Sequence, residues 1–83
     1  MRPPVLFDLR DDALLVEFPE LSDEEANSTA VALARRLRRL QVEDAIPAAR
    51  SLLIAYDPLR VGRDAIAASL ERLAAEPGAA GAD

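Results

Sequence analysis

The stretch Ser51-Leu52-Leu53-Ile54-Ala55-Tyr56 narrows the fold more than any other, because an extended chain with this sequence is apolar on both faces. Such a strand belongs inside a sheet, with a neighbour on each side. Asp57-Pro58 breaks it. The rest of the chain has to supply the neighbours and the layer that covers them.

Two runs near the start fit the first requirement. Val5-Leu6-Phe7-Asp8-Leu9 is strand-like, Arg10-Asp11-Asp12 interrupts it with polar, turn-favouring residues, and Ala13 to Phe18 resumes an extended apolar run that Pro19 ends. The pattern predicts a hairpin. With a period of two, Val5, Phe7 and Leu9 share one face, as do Leu14, Val16 and Phe18, and both sets are expected to meet one helical layer. Leu6, Leu15, Leu53 and Ala55 then alternate toward the opposite face. Val42 to Ile46 is a short, half-polar strand stopped by Pro47; lacking an amide, proline suits a sheet edge.

The covering layer is helical. Ser22-Asp23-Glu24-Glu25 has the form of a capping box, in which the serine hydroxyl accepts from the Glu25 amide and the Glu25 carboxylate accepts from the serine amide. Ala26, Ala30, Leu33, Leu37 and Leu40 follow at spacings of four, three, four and three, one stripe of a helix whose exit is expected at Gln41. Acids open this helix and Arg35, Arg36, Arg38 and Arg39 close it, which complements the helix dipole. Gly62 can cap a second helix with Ile66, Leu70 and Leu73 on its buried stripe, ended by Pro77 and Gly78.

The order β-β-α-β-β-α predicts an α+β fold: a two-layer, ferredoxin-like sandwich, permuted so that the extra strand comes first, with an antiparallel sheet in the order 1-2-4-3 and two helices on one face. Residues 1–75 are expected to form this single domain. Residues 76–83, alanine, glycine, proline and acid, read as a disordered tail or the start of a linker.

Composition removes whole classes of chemistry. The 83 residues include neither cysteine nor histidine, which excludes disulfides, cysteine or imidazole metal ligands, and thiol or Ser-His nucleophilic machinery. A net charge of −5 argues against nonspecific nucleic-acid binding and against an anionic membrane surface. No apolar run is long enough for a signal peptide or a membrane span, so a cytoplasmic protein is expected. A domain this short buries only about 60% of its unfolded surface, and a partner or a dimer mate would add stability.

Four segments together resemble a known family. Asp12-Ala13-Leu14-Leu15-Val16-Glu17-Phe18, Val42 to Pro47, Arg50 to Tyr56 and Asp57-Pro58 are similar in order and spacing to the N-terminal domains of KipI and of the KipI-like subunit of 5-oxoprolinase, and to allophanate hydrolase subunit 1 and the related part of urea carboxylase. Asp11 stands where that family usually has glycine. The resemblance covers roughly residues 5–75. It implies a bacterial protein that associates with a second subunit, and a larger cyclophilin-like β-barrel domain that would hold the family's catalytic or ligand groove. On that basis this chain is expected to be no enzyme on its own: a subunit-assembly domain of a 5-oxoprolinase or carboxyltransferase-like complex, or alternatively a free-standing KipI-like regulator of a sensor histidine kinase.

No catalytic residue, metal site or cofactor is expected. Asp11, Asp12, Glu17 and Glu20 lack the spacing or glycine-enforced loop of a cation site and read as solvated acids around a hairpin. The arginines from Arg35 to Arg39 alternate with Leu37 and Leu40 and read as a solvated helix face. Asn27-Ser28-Thr29 has the glycosylation pattern but sits within a predicted helix. The residues expected to contact a protein partner are Leu15, Leu53 and Ala55 on the second sheet face, with Arg50 and Tyr56 beside the central strand, residue types favoured at interface hot spots. The structural alternative for the last two is that Arg50 caps loop carbonyls and Tyr56 closes the edge of the core.

Overall fold

The computed structural model describes residues 4–40 and 42–75. Six elements follow along the chain: β1 (Val5–Arg10), β2 (Ala13–Glu17), α1 (Asp23–Leu37), β3 (Asp44–Pro47), β4 (Ser51–Ala55) and α2 (Arg63–Ala75). The strands form an antiparallel four-stranded sheet in the order β1-β2-β4-β3, the α+β arrangement that the sequence predicts. The run that is apolar on both faces is the interior strand β4, flanked by β2 and β3.

Residues directly opposite one another in antiparallel strands share a face. Leu14 pairs with Ile54 and Val16 with Leu52, and all four are fully buried. With Ala45 they make the sheet's side of a core completed by Ala26, Ala30, Leu33 and Leu37 of α1 and by Ile66 and Leu70 of α2. Both helices therefore cover the same face.

Strand β1 departs from the expected phase. Val5, Phe7 and Leu9 are 41%, 45% and 52% exposed, and Leu6 is the β1 residue packed on the core. Leu6 thus belongs to the helix side and not to the open face. A register shift between Asp8 and Arg10 is the cause. Pairing that ran on regularly from Arg10 opposite Ala13 would set Leu9 beside Leu14 and Phe7 beside Val16, on the helix side; the extra residue at Leu9 instead brings Leu6 opposite Val16 and Phe7 opposite Leu15. The same shift turns Asp8 inward at the rim, where the Arg63 guanidinium of α2 donates to its carboxylate at 3.0 Å.

The capping box forms as expected, Ser22 Oγ accepting from the Glu25 amide at 3.2 Å and Glu25 Oε1 from the Ser22 amide at 3.1 Å. Helix α1 ends earlier than its apolar spacing suggests. Arg38 is the C-cap, and amides of Arg39 and Leu40 bond three residues back, to Arg36 (3.2 Å) and Leu37 (2.9 Å), which tightens the last turn and leaves Leu40 exposed. Gln41, the expected exit, lies outside the described residues. Val42 packs against the core ahead of β3, so that strand begins at Asp44. Gly62 caps α2, its carbonyl accepting from Ala65 and Ile66. Pro77, Gly78 and the rest of the expected tail also lie outside the described residues.

Candidate functional site

The sheet face away from the helices carries three cross-strand rows. The middle row is apolar from one edge to the other: Phe7 stands opposite Leu15, Leu15 opposite Leu53, and Leu53 opposite Ile46. Phe7 and Ile46 at its ends are exposed and Leu15 and Leu53 are half-buried. One flanking row runs Arg10, Ala13, Ala55, Asp44, with a charge of opposite sign at each end; the other runs Val5, Glu17, Ser51. A stripe of large apolar side chains framed by polar and small ones is the composition of a protein-binding surface.

Three of the residues singled out in the sequence meet on this face. Leu15 and Leu53 form the centre of the apolar row, and Ala55 lies one row away beside Ala13. Arg50 is elsewhere, in the loop between β3 and β4, where its guanidinium donates to the Phe18 carbonyl (3.4 Å), to the Leu21 carbonyl (3.1 Å) and to the Asp23 carboxylate. It staples that loop to the one entering α1. Asn27 reinforces the join by donating to the Ala48 carbonyl at 2.8 Å.

Tyr56 is buried in the core cluster, its amide continuing the ladder to the Asp12 carbonyl at 3.0 Å. Burial, and after it the negative charge of Asp8, holds its phenol above the ordinary value. Asp57 shapes the exit from β4: its carboxylate accepts from the Leu59 amide (2.9 Å) and its carbonyl from Arg60 (2.9 Å) and Val61 (3.1 Å).

The acidic residues singled out in the sequence are spread along the first hairpin. Asp11 and Asp12 lie in the hairpin turn and Glu17 at the far end of β2, a strand of five residues and so about 16 Å long. Among the described residues no group of three or more acidic side chains could hold a metal ion. A concavity of about 180 Å³ lined by Glu17, Phe18, Pro19, Arg50 and Ser51 is smaller than the roughly 300–1,000 Å³ of ordinary ligand sites. Arg50 there is already bound to protein acceptors. No helix among the described residues is long and apolar enough to cross a membrane.

Phe7 and Ile46 are the residues of the apolar row that the sequence pattern does not single out. Ile46 looks like the tail of a half-polar strand, and Phe7 is assigned to the core by its own alternation. Only the irregularity at Leu9 corrects the second, and nothing in Leu-Arg-Asp-Asp announces it.

Comparisons with known proteins agree with this architecture. The crystal structure of a conserved uncharacterized protein from Pyrococcus horikoshii is similar with a TM-score of 0.67 and 28% sequence identity, over 82% of this chain and 33% of that one. The chain thus spans about a third of the length of that protein. No curated protein matches at a significant level. Residues 5–83 match the family described as the carboxyltransferase domain, subdomain C and D, which takes in every strand and helix described above. This chain belongs to the carboxyltransferase domain family, subdomain C and D.

Proposed function

We propose that this is a non-catalytic subunit-assembly domain of a 5-oxoprolinase or allophanate hydrolase-like carboxyltransferase complex, and that it docks on a partner subunit through the open face of its sheet. The observation that carries this reading is the unbroken apolar row Phe7, Leu15, Leu53, Ile46. Family membership supports the kind of complex. The domain needs no cofactor in this role, and its place is the cytoplasm.

Leu53→Asp and Leu15→Asp put a carboxylate at the centre of the row without touching the core. Each should weaken capture of the co-expressed large subunit by more than about tenfold, the scale of an interface hot spot, while far-UV circular dichroism stays unchanged. Capture that survives both substitutions would refute the docking face. The alternative, a free-standing inhibitor of a sensor histidine kinase, predicts instead that adding the domain lowers the kinase's autophosphorylation.

A further inference from the structure

The two edges of the sheet are finished differently, and the difference follows from which backbone groups face outward. Hydrogen-bonded and non-bonded pairs alternate along an antiparallel ladder. Because the Tyr56 amide donates to the Asp12 carbonyl, Leu14 and Val16 turn their backbone groups toward β4, while Leu15 and Glu17 turn theirs toward β1. Their partners Phe7 and Val5 bond to β2 in return. The amides and carbonyls of Leu6 and Asp8 consequently face away from the sheet, with no hydrogen-bond partner among the described residues.

At the other edge the same alternation puts Ala45 and Pro47 outward, since the Ala48 amide bonds to the Ser51 carbonyl. That edge is closed. The Ala45 amide donates to the Asp44 carboxylate (2.8 Å), its carbonyl accepts from Arg38 (3.0 Å), and Pro47 has no amide to offer.

We propose that the β1 edge pairs antiparallel with β1 of a second copy of this chain, about a two-fold axis at Phe7, joining the two sheets into one of eight strands. The free groups and the charges select the register. With the axis at Phe7, Leu6 exchanges both hydrogen bonds with the second copy's Asp8, and Asp8 with its Leu6, which satisfies all the outward groups of both residues. An axis at Leu6 would face Asp8 with Pro4, which has no amide, and an axis at Asp8 would face two like carboxylates. The chosen register also covers the exposed apolar side chains, Phe7 against Phe7 and Val5 against Leu9. The Asp8 charge is already met by Arg63 on the helix side, so the edge brings no unpaired charge to the join.

The pairing is independent of what docks on the open face, and it makes the apolar rows of the two copies continuous. Sedimentation equilibrium of the 83-residue chain should give twice the monomer mass. Phe7→Lys, which sets two ammonium groups opposite each other on the axis, should return the mass to that of one chain. Ile46→Lys, on the same face but at the closed edge, should leave the dimer intact. The chain has no cysteine of its own, and facing residues in a non-bonded pair have Cα atoms about 4.5 Å apart, within disulfide reach. Phe7→Cys should therefore link two copies on oxidation, and Ile46→Cys should not. A wild-type chain that stays monomeric overturns the proposal, as does a dimer lost in Ile46→Lys but kept in Phe7→Lys, or one that Phe7→Cys cannot cross-link.

Discussion

Thr29 is fully buried on α1, and its hydroxyl finds no hydrogen-bond partner among the described residues. A buried hydroxyl in that state costs roughly 1–3 kcal/mol, whereas valine fills nearly the same volume with a helix propensity close to that of threonine. Thr29→Val is expected to stabilise the domain by about 1 kcal/mol, read as a higher urea midpoint with an unchanged slope. Tyr56 offers a second measurement, because it is the sole tyrosine of the chain. Its phenol titrates above the ordinary 10.0 in the folded protein. Linkage then requires a contribution to stability that is complete below about pH 10 and lost as pH rises through the folded value. Absorbance of the phenolate should appear at higher pH in the native protein than in guanidinium, and identical titrations would disprove the burial-driven shift.

Among the elements, α1 carries the clearest local code. Glu25 accepts from the Ser22 amide and, less strongly, its carboxyl is coupled to the Ser22 side chain, which together hold it below the ordinary glutamate value of 4.5. A lowered carboxyl pKa contributes stability that is present above that value and lost as pH falls through the folded one. The difference in melting temperature between wild type and Glu25→Ala should therefore be level near neutrality and shrink on acidification below about pH 4.5. A difference that persists unchanged into strong acid would mean that the carboxylate has no part in the cap. Strand β1 illustrates the opposite case. Its apolar period is as regular as that of β2, yet one extra residue at Leu9 reverses which side of it is buried.

At the scale of the whole molecule, the helical layer closes one side of the sheet and leaves the other with an apolar row of four large residues. A single small domain gains little by exposing that row, and the docking proposed above would cover it. Arg50 has a role within the fold at this scale. It sits in a segment of strong family resemblance and belongs to a type common at hot spots, yet it spends its donors on two carbonyls and one carboxylate that tie neighbouring loops together. Tyr56, chosen for similar reasons, is core.

By itself the sequence determined the order of the elements, the cap and polarity of α1 and the interior position of β4. Each of these rests on local signals: hydrogen bonds spanning three residues, periodicity within one segment, or a proline that cannot donate. The strand order followed from matching that order of elements to a ferredoxin-like layer arrangement. The sequence also pointed to Leu15 and Leu53, whose strands are held in phase on both sides by neighbours. The tertiary structure alone decided which face of β1 is buried, where α1 gives way to β3, and that Arg50 and Tyr56 are bound up within the fold. Those outcomes depend on pairing register and on contacts between residues far apart in the chain, such as Asp8 with Arg63 and Arg50 with Phe18. An edge strand, paired on one side only, takes its phase from its neighbour rather than from its own hydrophobicity.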